Sequence, residues 1–385
     1  MSRHDFTSAE FGARRARVRQ AVAEAGLDWM ILFHPVSIHW LTGSDAKSYQ
    51  AFQCLIVPAE DRPTVMLTRE SERAEFEEDA LIDQLETWGG PEPEDPLALF
   101  ERIVGRLNLR RGRVGIEVPA YYLHPHHYLG VKSILGAALV AEPSHLVHDL
   151  KMVKSPAELA YVRRSAEIAD AAMAVFAASL AEGETELAIA GSVYAALLKH
   201  GSGLPASTLN LVSGERSCFS HGAPTERRLR PGDFGNVEYG AAFKRYTATI
   251  GRQFSIGRPT PRMNELHAIA LEAADALIAE IRAGVPATRP HEAAKRVIAR
   301  EGLDRHRVHT SGYGLAPGFP PSWGEPVNMF GGSRHVLEAG MVLSVEPPIF
   351  IAEEKLGVRL IDNVLVTADG AELLSRHPRG MIIVD

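Results

Sequence analysis

Three hundred and eighty-five residues exceed what one hydrophobic core normally supports, because cores stop growing near ~250–300 residues, so two domains are expected. With 45% hydrophobic and 23% charged residues, the composition excludes a chain that is mainly disordered, collagen-like or coiled coil. A net charge of -7 argues against a dedicated nucleic-acid binder, and two cysteines, Cys54 and Cys218, are too few for a disulfide framework and fit a cytoplasmic location.

Apolar residues recur at helical spacing from Ser8 to Ala25, and Leu27–Phe33 is an almost continuously apolar run that reads as a buried strand. Further strands are expected at Phe52–Val57, Thr64–Leu67 and Val114–Glu117, separated by helices at Glu70–Glu78 and Pro96–Asn108. This alternation predicts an α/β N-terminal domain over residues 1–152. The next helix announces itself by Ser155 as N-cap, Pro156 in the first turn and Glu158 completing a capping box, so a second domain is placed at 153–385. There the helices are expected at Ala157–Glu182, Glu186–His200, Met263–Ala283 and Pro290–Glu301. Strands are expected at Leu209–Gly214, Phe234–Tyr239, Ala248–Phe254, Met341–Pro347 and Gly357–Thr367. The result is an α+β domain whose two helix pairs, each followed by strands, hint at a duplicated half. No run of ~18 apolar residues could span a bilayer, and no signal-peptide-like segment follows Met1.

Sixteen histidines stand out, and histidine is both the commonest metal ligand and the side chain that titrates nearest neutral pH. Four stretches of the second domain carry candidate chemistry. His221 precedes a Pro231-Gly232-Asp233 turn into a strand. Glu238 and Glu346 each sit inside apolar, β-patterned runs, where an unpaired charge is expensive, so an ion pair with Arg252 or Arg359 is the plainest explanation of either. His309 opens a Gly/Pro-rich stretch through Tyr313, Trp323 and Glu325 that reads most simply as a loop.

These residues lie in strings that resemble one family. HGAPTERRLRPGD, NVEYG, YTATIGRQFSIG, HTSGYG, EAGMVLSVEPPIF and GVRLIDNVLVT follow the order and spacing of the creatinase/aminopeptidase P/methionine aminopeptidase, or pita-bread, family. The resemblance implies a pita-bread C-terminal domain behind a smaller creatinase-type N-terminal domain. Family peptidases hold two metal ions with two aspartates, a histidine and two glutamates; at those positions this chain carries Glu238, Thr249, Tyr313, Glu346 and Ile361. Threonine and tyrosine are poor ligands for such ions and isoleucine is none, so no metal and no other cofactor is expected. His309 matches a histidine that the peptidases keep outside the metal shell.

The resemblance also extends to two metal-free branches. Gly312-Tyr313, Pro320-Pro321-Ser322-Trp323-Gly324-Glu325, Lys244-Arg245-Tyr246 and Trp40-Leu41-Thr42-Gly43 are similar to strings of ectoine hydrolase, while Glu346 and Arg359 look more like creatinase. The function so implied is metal-independent hydrolysis of a C–N bond in a small zwitterionic amidine, guanidino or amide compound. Glu238 and Glu346 would hold the cationic group, His221 would carry the proton, and Tyr313 would hydrogen-bond the tetrahedral centre. His309, Trp323, Glu325, Arg359, Arg252, Thr249, Trp40 and Tyr49 complete the expected substrate-binding set. The family's dimers further imply that residues near Trp40–Tyr49 close a partner's pocket. The alternatives are a metal-dependent Xaa-Pro dipeptidase or aminopeptidase and, from another class, a non-catalytic pita-bread binding protein.

Overall fold

A computed structural model describes residues 2–384, and the chain divides between Lys151 and Met152 into two units, each with cores of its own. In the first unit, α1 (Ser8–Glu24) starts where Thr7 Oγ1 accepts the amide of Glu10. It leads into β1 (Trp29–Leu32), which is buried along its whole length. Then follow α2 (Pro35–Thr42), β2 (Cys54–Pro58), β3 (Val65–Arg69), α3 (Arg73–Asp79), β4 (Gln84–Trp88), α4 (Pro96–Arg106), β5 (Val114–Ile116), α5 (Pro125–Leu135), β6 (Leu139–Ala141) and α6 (Leu146–Met152). The six strands form one mixed sheet in the order β4-β3-β2-β1-β5-β6. Three helices have no counterpart among the expected elements: α2, α5 and α6. Both α2 and α5 are short, begin with a proline in the first turn, and are capped by a histidine, His34 and His124, rather than by the residues usually sought.

In the second unit the Ser155–Glu158 capping box is present and opens α7 (Pro156–Ser179). Helix α8 (Glu186–Lys199), the short β7 (Asn210–Ser213) and the long hairpin of β8 (Phe234–Phe243) and β9 (Tyr246–Ile256) follow. The hairpin turn has positive φ at both Lys244 and Arg245, 50° and 66°, which matches the twist of two long paired strands. Helix α7 fixes the hairpin's end through Ser165 Oγ, which donates to the Tyr246 carbonyl at 2.6 Å and accepts the Phe243 amide at 2.8 Å. Helices α9 (Pro261–Ala279) and α10 (Thr288–Arg300) come next. Then follow β10 (Gly312–Phe319), β11 (Ser322–Asn328), β12 (Val342–Val345), β13 (Ile349–Ile351), β14 (Leu356–Val358), β15 (Asp362–Val366), β16 (Ala371–Leu373) and β17 (Ile382–Val384). The expected Gly357–Thr367 strand is thus two strands with Arg359, Leu360 and Ile361 between them, and the expected His309–Pro326 loop is largely the β10–β11 hairpin.

The main sheet runs β16-β15-β12-β10-β9-β8-β7. Helices α7 and α8 bury Ile168, Met173, Phe176, Ile189 and Val193 against Val237, Tyr239 and Ile250 of the hairpin. Helices α9 and α10 bury Leu266, Ala273, Leu277 and Ile298 against Leu343, Val345 and Val364. Because strand side chains alternate, the residues between these apolar ones face away from the helices. Asn210, Glu238 and Gly251 stand in one cross-strand row, and Tyr313, Ser344 and Asn363 in another.

Candidate active site

Asn210 and Glu238 of the first row and Tyr313 of the second line an open cleft of about 340 Å³. Its walls come from Asn210 and Glu238, His221, His309 and Thr310, Tyr313, and the β11 residues Ser322, Trp323, Glu325 and Asn328. A small inner pocket of about 20 Å³ shares His221, Glu238, His309 and Tyr313 with the cleft and adds Glu346 and Arg359. The sequence singled out most of these residues one at a time; the fold brings them together.

Glu238 is buried at the centre of β8 and is neutralised by the Arg359 guanidinium, with Asn210 Nδ2 donating to the same carboxylate oxygen at 2.9 Å. The second Arg359 nitrogen donates to the Ser220 carbonyl. Burial pulls the Arg359 pKa down to about 10, so it remains a cation at neutral pH. Glu346 is equally buried but has no counter-charge of this kind. Ser344 Oγ donates to Oε2 at a long 3.3 Å, and Oε1 receives no well-formed hydrogen bond among the described residues. Burial therefore pushes the Glu346 carboxyl up to about 8, partly offset by Ser344, and leaves it mostly protonated at pH 7.

His309 Nδ1 lies 3.1 Å from the Thr310 carbonyl and 3.3 Å from Glu346 Oε1. A carbonyl can only accept, so Nδ1 carries the proton and Nε2 carries the lone pair. Burial moves the His309 pKa below the usual imidazole range despite the Thr310 bond. His221, its ring centroid 5.6 Å from that of His309, is also pushed down by burial and by the nearby Arg359 and His309. Unlike His309, it is exposed at the mouth and has no orienting side-chain hydrogen bond among the described residues. Tyr313 accepts from Trp323 Nε1 at 3.0 Å, and burial and the neighbouring Glu346 hold its phenol far above the normal range. The site thus holds two neutral imidazoles, a neutral carboxyl and a phenol around one compensated ion pair.

Several expected site residues do other work. Arg252 is fully buried outside the cleft; it binds Asp362 Oδ1 at 2.8 Å and the carbonyls of Gly251, Ile361, His377 and Pro378, which leaves it no role toward a substrate. Thr249 accepts from Asn363 Nδ2 at 2.8 Å and belongs to the sheet, not to the cleft wall. Trp40 is 1% exposed in a core of the first unit, beside the Arg14 guanidinium, so its ring cannot present a surface to a partner's pocket. Tyr49 is half-buried with its ring against Tyr122 of the same unit. Glu325 lines the cleft yet is ion-paired with the buried Lys154. The participants that escaped notice are Asn210, Thr310, Asn328, Ser344 and Lys154. Asn210 and Ser344 carry the signal that exposed Glu238 and Glu346, a polar residue between apolar neighbours in a strand. A wider depression of about 650 Å³ on the first unit, around Arg69, Trp88 and Glu94, lacks such a group, since of its carboxylates Glu70 and Glu94 are paired with Arg73 and Arg102 and Glu92 is exposed.

Residues 160–368 match metallopeptidase family M24, and residues 14–153 match the creatinase/prolidase N-terminal domain. Over its whole length the chain is similar to the probable dipeptidase PepE of Mycobacterium tuberculosis, with 28% identity over 387 residues covering 100% of this chain and 99% of the relative. The crystal structure of dipeptidase PepE from Mycobacterium ulcerans superposes with a TM-score of 0.86 at 26% identity, over 98% of this chain and 99% of that one. The fold is also that of an Xaa-Pro dipeptidase from Bacillus anthracis, with a TM-score of 0.85 at 24% identity over 97% and 100% of the two chains. This full-length similarity overturns the expectation of an ectoine hydrolase-like or creatinase-like enzyme acting on amidines or guanidines. The local strings behind that expectation are explained by structure: Trp323 binds Tyr313 and Glu325 binds Lys154, contacts internal to the second unit.

The family name implies divalent metal ions, and the donors present do not fit them. Among the described residues no group of three or more His, Cys, Asp or Glu side chains could hold a metal ion. Arg359 already supplies the positive charge at Glu238, Thr249 and Asn363 satisfy one another, and the Ile361 side chain packs over Gly251, where an added Cβ would lie 2.8 Å from it. No helix among the described residues is long and apolar enough to cross a membrane.

Proposed function

The chain belongs to metallopeptidase family M24, and from that premise we propose that it hydrolyses the peptide bond of dipeptide-sized substrates. Similarity to the PepE dipeptidases over the full length and the small volume of the cleft support this reading. The observation that carries it is the buried, protonated Glu346 beside a neutral, oriented His309, an acid and a base with displaced pKa values in one small pocket.

His309 Nε2 takes a proton from a water that attacks the carbonyl carbon of the scissile bond. The Nδ1 bond to Thr310 fixes the tautomer this requires, which is why His309 and not the unanchored His221 is the base. Glu346 gives its proton to the departing nitrogen, so the C–N bond breaks to an amine and a carboxylic acid. The proton gained by His309 is balanced by the one lost from Glu346, and its transfer from the imidazolium to that carboxylate, 3.3 Å from Nδ1, restores both groups to their neutral forms. Arg359 and Glu238 compensate one another and keep a fixed dipole beside the reacting carbonyl. No step is routed through a metal ion.

A panel of free dipeptides, Xaa-Pro dipeptides included, assayed by chromatography of the released amino acids, tests the reading. Turnover of at least one member, reduced ~10²-fold or more in Glu346→Gln, is expected. A folded protein that cleaves none of them, with or without added Mn²⁺, Co²⁺ or Zn²⁺, overturns it.

A further inference from the structure

Trp323 lines the cleft and invites the assumption that it contacts the substrate, but only 6% of it is exposed. Its ring lies over Gly240 of β8, where an added Cβ would come within 2.9 Å of Cζ3, and its Cβ lies 3.3 Å from where a Cβ on Gly318 would stand. Gly240 therefore leaves the slot that the indole occupies, whereas a Cβ on Gly318 would meet Ala206 and Thr247 first, at 2.8 and 2.9 Å. Out of that slot the indole presents one polar atom, Nε1, and it donates to the Tyr313 hydroxyl across the β10–β11 hairpin. A hydroxyl that accepts along one direction must point its own proton elsewhere. Among the described residues that proton has no acceptor, and Tyr313 lines both the cleft and the inner pocket that holds Glu346.

We propose that Trp323 is a positioning residue that aims the Tyr313 hydroxyl as a hydrogen-bond donor to the carbonyl oxygen of the substrate, and that Gly240 leaves the room in which the indole is seated. The inference rests on the peptidase reading above. Tyr313 is the group that touches the substrate, stabilising the negative charge that grows on the carbonyl oxygen as water attacks. Burial, which keeps the phenol protonated throughout the physiological range, suits a donor that never ionises.

A double-mutant cycle with an independent spectroscopic readout tests this. Kinetics are measured on the best substrate of the dipeptide panel for the wild type, Trp323→Phe, Tyr313→Phe and the double variant, after thermal melts confirm that each is folded. Tyr313→Phe is expected to lower kcat ~10²-fold with KM within about 3-fold, as for loss of one oxyanion donor. Trp323→Phe should lower kcat ~10-fold in the wild type and change nothing in the Tyr313→Phe background, because it acts only through that hydroxyl. Effects that multiply in the double variant, or a Trp323→Phe effect confined to KM, overturn the proposal and leave the peptidase reading standing. The chain has four tryptophans, so the indole N–H resonance missing from the Trp323→Phe spectrum identifies Trp323. It should shift upfield in Tyr313→Phe as its acceptor is removed, and an unmoved resonance overturns the proposal whatever the kinetics. Failure of the whole panel to be cleaved removes the peptidase reading and this role together, even where the resonance moves.

Discussion

Two glutamates, one in each unit, are buried to nearly the same extent, Glu117 at 1% exposure and Glu346 at 4%, yet they serve opposite ends. Glu117 is saturated: the amides of Phe33 and His34 donate to one oxygen at 3.1 and 2.8 Å, and Ser37 Oγ to the other at 2.7 Å. It ties the end of β1 to the first turn of α2. Burial raises its pKa to about 7, a shift those three bonds and Lys151 hold back. Glu346 is opposed by Ser344 alone and rises to about 8. Burial by itself therefore does not mark a functional carboxyl. What marks Glu346 is burial without saturation, in a pocket shared with two imidazoles and a phenol.

Substitutions can break this contrast. Glu346→Gln should cost ~10²–10⁴-fold in kcat while leaving the melting temperature equal to or above that of the wild type, since a neutral amide replaces a group that resists ionisation. Loss of stability with activity retained would show Glu346 to be structural after all. Next in size is Lys154→Met, which strands the buried Glu325 carboxylate on the cleft wall and should destabilise by about 3 kcal/mol, with most of that recovered in Lys154→Met/Glu325→Gln. Denaturant titration of the three variants measures it, and a double variant no better than the single one would contradict the pairing.

Glu117→Ala is expected to cost about 2 kcal/mol by leaving buried amides without an acceptor, with activity per folded molecule unchanged; a fall in kcat would erase the distinction between the two carboxyls. The pH dependence separates the two carboxyls as well. The folded-state pKa of Glu346 lies above its unfolded value of 4.5, so its contribution to stability is complete below about 4.5 and is lost as pH rises through about 8. Wild type should lose stability relative to Glu346→Gln over that window, by no more than ~1.4 kcal/mol per pH unit, and run parallel to it above. A Glu117 contribution, which ends near pH 7, is common to both proteins and cancels in the comparison.

The alternation of Leu27–Phe33 with helical stretches and the capping box at Ser155 announced two domains and their fold class, because these signals are local. The β10–β11 hairpin resembles a loop in sequence because Gly312, Gly314, Gly318 and Pro317 mimic turn chemistry, whereas pairing with β12 and β9 overrides it. Arg252 and Arg359 were interchangeable in the sequence as partners for a buried carboxylate. The fold gives Asp362 to the first and Glu238 to the second, a choice made by sheet register.

The sequence alone thus determined the family, the paired helices and the presence of charges in apolar strands, since each follows from residue type and spacing. Only the tertiary structure decided which of those charges are compensated. The partners of Glu238, Glu325 and Glu346 lie 121, 171 and 37 positions away or, for Glu346, are too few, and the free energy of a buried charge depends on what the fold places within about 4 Å of it.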